Sequence, residues 1–289
     1  IWDYVGGVED VYARRLRLIG DPETRYREDP VRMLRAVRLA AKLRFTIDPE
    51  SAERIPELAS LLQEASSARL FEETLKLFLS GHAEASFLGL EAHGLLAGLL
   101  PETAAALASN RSGALRRMLL EGLRATDARI AADEPVSPAF LFALLLWPAY
   151  CRTLAMLQAQ GMHVAEAERR AADRVTLHQV ATVALPRRFS LPMQEVWLLQ
   201  ARFSQRQRKR VVRLLSHPRF RAAYDFLLLR QSASDSHAED IAFWAEAQRD
   251  PDHALEVAAL TVESEGDGAS TESRGPRRRR RRRPAAVGH

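Results

Sequence analysis

The sequence predicts an all-α protein with an elongated helical neck and body, a small strand-turn segment at its N-terminal end and a disordered C-terminal tail. Apolar residues recur at helical spacing from Arg25 to about Arg230. Of the 289 residues, 47% are apolar, which is enough to bury a sizeable core. The residues after about 262 offer almost nothing to bury, so we expect them to be disordered.

The first twenty residues have a different pattern. A Gly6-Gly7 turn precedes acids suited to a helix start, and "RLRLIG" (15–20) alternates as a short strand does. No later segment predicts a partner strand. We therefore expect the helical body to have no sheet of its own, and the sheet for this strand to lie before Ile1.

Helix signals then follow one another along the chain. The stretch "YREDPVRMLRAVRLAAKL" (26–43) predicts a helix with Asp29 as its cap and Pro30 at its first position. Asp48 and Pro49 repeat this signature, and the helix in 67–81 ends at Gly81. Further helices are predicted at 86–101 (a short pair), 112–130, 136–147, 164–185, 192–216 and 220–231. The apolar run 139–147 is far shorter than the ~20 residues that cross a bilayer, so we expect no membrane span.

Charge and cysteine content point to a partner and a compartment. Removing Arg277 to Arg283 changes the net charge from +5 to −2, so the tail holds the excess of basic residues. Of the 42 basic residues, 39 are arginine, which binds phosphate and stacks on bases. Nucleic acid is therefore the leading candidate partner, although a genome-wide bias towards arginine would also contribute. The single Cys151 excludes a disulfide framework and fits a reducing, cytoplasmic setting.

The helix predicted after Asp29 carries one charged stripe on an otherwise apolar surface. At 100° per residue, one face is formed by Val31, Leu34, Val37 and Ala41. The remaining stripe is formed by Arg32, Arg35, Arg38 and Lys42. A solvated face would be wider and would mix acids with bases, so this stripe predicts a cleft with an anionic occupant.

Asp29 and Arg32 together offer a hydrogen-bonding pattern that suits a nucleobase. A carboxylate only accepts and a guanidinium only donates. Adenine and cytosine each present an amino donor beside a ring-nitrogen acceptor, whereas guanine and uracil present the opposite order. The pair would accept adenine or cytosine alike and would reject the other two bases. Alternatively, Asp29 is only a helix cap and the arginines pair with acids of a neighbouring element.

Two basic segments near the C-terminal end are candidates for RNA binding. The first predicts one helix with an apolar side and the cations Arg202, Arg206, Arg208, Lys209, Arg210 and Arg213. Such a stripe follows a phosphate backbone without reading sequence. A solvated helix face is the alternative. The second segment is the tail, Arg277 to Arg283, whose alternatives are a solubility aid or a site for a protein partner.

These motifs together resemble the class II nucleotidyltransferase family of bacterial poly(A) polymerases and CCA-adding enzymes. "DYVGGVED" followed by "RLRLIGDPETRYREDPVRMLRAVRLAAKL" resembles the neck of that family, and Glu28, Asp29 and Arg32 match its Glu-Asp-x-x-Arg element. The resemblance implies that Asp29 and Arg32 read the base, and that Arg35 and Arg38 face the triphosphate or brace the pocket. "ARLFEETLKLFLSG" resembles the next neck element, through Arg69, Glu72, Glu73 and Lys76, with a mainly structural role.

The resemblance also implies a division of the chain. The expected segments are the end of the catalytic head (1–20), the neck (21–101), the helical body (102–185), the basic RNA-binding region (186–261) and the tail (262–289). In the family, the head binds Mg²⁺ through a glycine–serine element followed by an Asp-x-Asp pair, and this chain has no such combination. We expect that the chain lacks the head, holds no metal site of its own and does not polymerise alone.

The function implied by the resemblance is template-independent addition of AMP from ATP to RNA 3′ ends, which promotes mRNA turnover. The stretch 186–230 and the arginine-rich end resemble a poly(A) polymerase more than a CCA-adding enzyme. The partners implied are RNA 3′ ends, ATP and, through the tail, RNA-decay proteins. A CCA-adding enzyme and a non-catalytic RNA-binding adaptor remain the alternatives.

Overall fold

A computed structural model describes residues 2–231 and 235–250. Helices dominate both ranges, which confirms the predicted all-α class. The tail 262–289, with Arg277 to Arg283, and the last residues of the basic region lie outside the described residues.

The elements follow one another with short connections. The N-terminal part contains α1 (Gly7–Tyr12), β1 (Arg15–Leu16), α2 (Pro22–Glu28), α3 (Val31–Leu43), β2 (Thr46–Ile47), α4 (Pro49–Leu58), a 3₁₀ helix (Ala59–Glu64), α5 (Ser67–Phe78), α6 (Ala83–Ala92) and α7 (Leu96–Leu99). The remainder contains α8 (Pro101–Ser109), α9 (Ala114–Ala131), α10 (Pro138–Leu145), α11 (Trp147–Ala159), α12 (Val164–Thr182), α13 (Arg187–Gln200), α14 (Arg208–Leu215), α15 (Phe220–Gln231), a second 3₁₀ helix (Asp235–His237) and α16 (Ala238–Arg249).

The N-terminal strand has a partner within the chain, so the expectation of no sheet was wrong. β1 pairs in parallel with β2, with Arg15 opposite Thr46 and Leu16 opposite Ile47. The Asp48 N–H donates to the Leu16 carbonyl at 2.9 Å. A strand of two residues has no periodicity to detect, which is why the sequence pattern missed β2. The pairing ties the N-terminal segment to the chain that follows α3.

The stretch 26–43 forms parts of two helices instead of one. Tyr26 to Glu28 end α2, Asp29 has an extended backbone (φ −148°, ψ 94°), and α3 starts at Val31. Pro30 explains the break, because the residue before a proline avoids the helical region. Asp29 therefore projects from a corner between two helices.

A close contact with α6 fixes the buried face of α3. Val31, Met33, Leu34 and Val37 are buried, and α3 packs against α5 and α6. A Cβ atom placed on Gly89 of α6 would lie 2.7 Å from Cγ1 of Val37, so the two backbones approach more closely than an alanine allows. Because this face packs on α6, the charged stripe of α3 points away from the main core.

The body is built around buried apolar helices whose polar groups are paired. α10 ends at Leu145, two residues before the predicted end at 147, and Pro148 lies in the first turn of the next helix, α11. The Trp197 Nε1–H donates to the Ala143 carbonyl at 3.0 Å, and the Trp197 ring stacks on Tyr150 with 5.0 Å between centroids. Within the described ranges no single helix is long and apolar enough to span a membrane, although α10 and α11 together, bent by 52°, have the required length and composition.

The predicted basic helix is interrupted. α13 ends at Gln200 and α14 begins at Arg208, so the expected single helix over 192–216 was wrong. A turn separates them, and Phe203 in this turn is fully buried against α15 and α16. This burial explains the interruption, because a continuous helix would carry Phe203 in the same register as the exposed cations. α14 is thereby attached to a second, smaller hydrophobic cluster that includes Val211, Leu214 and Trp244.

Candidate nucleotide site and basic surface

Asp29 lies at the corner between α2 and α3 with its carboxylate held by several donors. Nη2 of Arg69 on α5 donates to both oxygens of Asp29, at 2.9 Å each. The Val31 N–H donates to Oδ1 at 3.2 Å, so Asp29 bonds the first N–H of α3, but Pro30 and not Asp29 occupies the N-cap position, one residue later than predicted. Nη1 of Arg35 lies 3.6 Å from Oδ2, too far for a hydrogen bond. The carboxylate is thus fixed in direction by its surroundings.

Arg32 is held by residues of α2 and does not pair with Asp29. Its Nη1 donates to Oε2 of Glu28 at 3.0 Å and to the Arg25 carbonyl at 3.1 Å. Glu28 also accepts from Nη1 of Arg25 at 2.6 Å. Among the described residues, no hydrogen-bond partner is found for Nε and Nη2 of Arg32. One edge of the guanidinium is therefore open to a ligand.

Further along α3, a buried carboxylate of α5 binds arginines of the charged stripe. Glu73 of α5 is only 2% exposed, and its Oε1 accepts from Nε of Arg38 at 2.6 Å. Its Oε2 lies 3.9 Å from Arg35 and 3.7 Å from Lys76. Arg38 therefore braces α3 against α5. Of the two roles that the family resemblance implied for Arg38, this contact favours bracing.

Two arginines of the stripe face a cleft of about 300 Å³ between α3 and the β1 segment. Arg32 and Arg35 of α3 line it, together with Arg25 of α2 and Arg17 just after β1. Its apolar walls are formed by Leu16, Leu18, Ile19, Ala36, Leu39 and Ile47. No acidic side chain lines it among the described residues, so its field attracts anions. Asp29 does not line this cleft.

The sequence reasoning did not anticipate which acids and bases join across the neck. Arg69 and Glu73 were expected to give general support, and the structure places them on Asp29 and Arg38 respectively. The available signal was the pair of acids, Glu72 and Glu73, at the centre of α5. A buried acid needs cations, and Glu73 finds them in Lys76 of its own helix and in the stripe on α3.

The basic surface of α14 has a different character. Its cations Arg208, Lys209, Arg210 and Arg213 are exposed, and none has an ion-pair partner in the described part of the chain. Three of them occupy the first turn, which holds no acid. Positive side chains there oppose the helix dipole, and the same N-terminus attracts anions through its free N–H groups. The arrangement lowers the stability of α14 alone and suits phosphate.

Two residues of the predicted RNA-binding set lie elsewhere. Arg206 is in the turn before α14, where Nη2 donates to Asp240 of α16 at 2.9 Å and the guanidinium lies 5.3 Å from the Phe243 ring centroid. It joins two elements and is not free on the surface, so its placement on the same helix stripe was wrong. Arg202 is exposed on the turn after α13, near Glu168, and burial raises the pKa of that carboxyl although the charge of Arg202 opposes the rise.

The described residues offer no set of ligands for a metal ion. No three His, Cys, Asp or Glu side chains converge within 2–231 and 235–250. Asp250 and Asp252 do have Asp-x-Asp spacing, but they follow α16 instead of a glycine–serine element, and Asp252 lies outside those ranges.

The arrangement of helices resembles that of a solved protein. The fold is similar to a solved tRNA nucleotidyltransferase complexed with a primer tRNA and an incoming ATP analogue, with a TM-score of 0.53 at 18% identity, over 86% of this chain and 65% of that one. At this identity the likeness concerns the fold alone. The two proteins therefore share a helical architecture over most of this chain.

The sequence comparisons identify the family. Residues 44–107 match a family model described as a probable RNA- and SrmB-binding site of polymerase A, and residues 160–284 match the arginine-rich C-terminus of polymerase A. Poly(A) polymerase I of Salmonella typhi is 41% identical over 99% of this chain and 62% of its own length. A CCA-adding enzyme of Bacillus subtilis is 45% identical over 29% of this chain and 21% of its own. The chain belongs to the family of bacterial poly(A) polymerases and CCA-adding enzymes, and spans less than two thirds of those relatives.

Proposed function

We propose that this chain is the base-selecting and RNA-binding part of a poly(A) polymerase, which adds AMP from ATP to RNA 3′ ends without a template and so promotes mRNA turnover. The observation that carries the proposal is the extent of similarity. The alignment with poly(A) polymerase I runs over 99% of the chain, whereas that with the Bacillus subtilis CCA-adding enzyme runs over 29%.

In this proposal Asp29 and Arg32 select the nucleotide. Asp29 accepts from the adenine amino group, and the open Nε and Nη2 edge of Arg32 donates to the neighbouring ring nitrogen. A wrong base leaves these groups unpaired, at a cost of about 1–3 kcal/mol each. Arg35 supplies positive charge beside the base, while Arg38 and Glu73 keep α3 in place.

The RNA primer is bound by the exposed cations of α14 and by Arg202. These side chains contact phosphate, which is the same in every RNA, and the four cations of α14 have no acidic partners in the described residues that would compete. Such binding suits an enzyme that accepts many different 3′ ends. The ion pair between Arg206 and Asp240 joins the turn before α14 to α16 and so helps to hold α14 in place.

Mg²⁺ belongs to the proposed reaction but receives no ligands from the described residues. In nucleotidyl transfer a metal ion activates the primer hydroxyl and stabilises the leaving pyrophosphate. Since no three candidate side chains converge here, we assign no metal-dependent step to residues 2–231 and 235–250.

Primer extension tests this function and separates it from its alternatives. Full-length protein is incubated with Mg²⁺ and either ATP or CTP, on a generic RNA primer or on a tRNA lacking its 3′ terminus. Poly(A) polymerase activity predicts long extension of either RNA with ATP and little with CTP. Addition of a short CCA end to the tRNA alone would instead identify a CCA-adding enzyme. Binding without extension under every condition would favour an adaptor. Residues 1–289 alone are expected to bind RNA without extending it, and extension by them would contradict this assignment.

The tail and the setting complete the proposal. Arg277 to Arg283 add a second RNA contact or bind RNA-decay proteins, and deleting 262–289 should flatten the dependence of RNA affinity on salt. An unchanged slope would exclude the tail as an RNA arm.

The proposed setting is cytoplasmic, because the lone Cys151 needs no oxidising compartment. Burial raises the pKa of its thiol to about 12, which keeps it protonated and unreactive at neutral pH.

A further inference from the structure

Arg69 makes a contact that a merely structural residue of α5 would not need. It reaches from the first turn of α5 to the corner between α2 and α3, forty residues away in the chain, and Nη2 bridges both oxygens of Asp29 at 2.9 Å. The Asp29 carboxylate is 16% exposed and the Arg69 side chain 47% exposed. The pair lies at the surface, where an isolated ion pair contributes little to stability. Its value lies in the direction that it gives the carboxylate.

Asp29 and Arg32 have a strong reason to pair with each other. They are three residues apart, on either side of the start of α3, and opposite charges at this separation attract. A direct pair would join the acceptor to the donor and leave neither for a base. In the structure they are held apart: Arg69 holds Asp29, while Glu28 and the Arg25 carbonyl hold Nη1 of Arg32.

Asp29 and Arg32 can each bind a ligand in addition to the protein groups that hold them. Each carboxylate oxygen has two lone pairs, so Asp29 can accept from Arg69 and from a base amino group together. Arg32 keeps Nε and Nη2 without partners among the described residues. The acceptor and the donor are therefore presented separately, as a base edge requires.

We propose that Arg69 is a positioning residue that determines nucleotide specificity, by holding the Asp29 carboxylate away from Arg32. The proposal rests on the proposed function, since it assumes that this pair reads the base. Without Arg69, Asp29 turns to Arg32 and the pattern that distinguishes adenine from guanine is lost. Arg69 touches the selecting residue and not the reacting atoms.

The test is the ratio of kcat/KM for ATP to that for GTP in primer extension by the full-length protein. Arg69→Gln removes the charge and should lower this ratio roughly tenfold, the effect of losing one positioned, charge-assisted hydrogen bond. Arg69→Lys keeps a donor and should recover part of the ratio. The matched control is Arg116→Gln, because Arg116 is 44% exposed and pairs with Glu91 at 2.7 Å on a distant surface. It should leave the ratio unchanged while shifting the thermal midpoint as much as Arg69→Gln.

The possible results separate failure of this inference from failure of the proposed function. Equal loss of kcat/KM for both nucleotides in Arg69→Gln would make Arg69 a structural residue and overturn the inference. If Asp29→Asn lowers the ratio and Arg69→Gln does not, the inference is overturned while base reading by Asp29 stands. If neither variant changes the ratio, base reading by Asp29 fails as well, and the inference with it.

Discussion

The arginines of α3 and the cations of α14 differ in how the protein holds them. Arg32 and Arg38 each hydrogen-bond a carboxylate, Glu28 and Glu73, and Arg35 lies between Asp29 and Glu73. The four exposed cations of α14 have no acidic partner in the described ranges. The side chains of the first group are held beside carboxylates of the protein, and those of the second are not.

The difference corresponds to two kinds of recognition. Reading a base requires a donor and an acceptor at set positions, so the charges that do it need partners that hold them. Binding a phosphate backbone requires only positive charge at short range, and internal partners would weaken it. Pairing with carboxylates therefore indicates which basic residues select a base and which attract phosphate. The following variants test that interpretation.

The largest expected effect is on RNA affinity. Changing Arg208, Lys209, Arg210 and Arg213 together to Gln should weaken RNA binding roughly 100- to 1000-fold at low salt and reduce the slope of log K against log salt by up to about 2.8. Binding titrations over a range of salt concentrations measure both. The control removes four paired cations from other surfaces: Arg116, Arg124, Arg129 and Arg170. A similar loss in the control would mean that net charge alone binds RNA.

The next effect is on stability of the neck. Glu73→Gln leaves Arg38 without its carboxylate in a largely buried setting and should lower the free energy of unfolding by about 3 kcal/mol. Denaturant unfolding measures it. Glu57→Gln breaks an exposed pair with Arg54 at 2.7 Å and should change it by less than about 0.5 kcal/mol. Equal effects would show that Glu73 does not brace α3.

A smaller effect concerns nucleotide choice. Asp29→Ala should lower the preference for ATP over GTP roughly tenfold, since it removes one acceptor from the pair, and should slow the reaction at saturating ATP by less. Steady-state primer extension with each nucleotide separates the two. A uniform loss with all nucleotides would limit the role of Asp29 to its hydrogen bond with the first N–H of α3.

The smallest effect on RNA is expected for Arg206. Arg206→Gln should change RNA affinity less than twofold, because the guanidinium is already bound to Asp240, and should lower stability by about 1 kcal/mol. Comparison with Arg208→Gln by the same titration makes the contrast direct. A larger loss of affinity for Arg206→Gln would place it on the RNA surface after all.

The sequence predicted most helices because each long helix carries its own apolar period and its own start and stop residues. Asp29 and Pro30 marked the start of α3, and Gly81 follows the end of α5. It did not predict β2, whose two residues form no pattern, or the turn that buries Phe203. Contacts such as Arg69 with Asp29 and Arg38 with Glu73 join residues 35 or 40 positions apart, and only the packing of α3 on α5 brings them together.

A crystal structure of the full-length protein with bound ATP tests most directly whether the held pair reads the base. The account predicts the adenine amino group within hydrogen-bond distance of the Asp29 carboxylate and the adjacent ring nitrogen facing Nε or Nη2 of Arg32, with Arg69 still on Asp29. A purine bound elsewhere, with Asp29 and Arg32 contacting only Arg69 and Glu28, would contradict it.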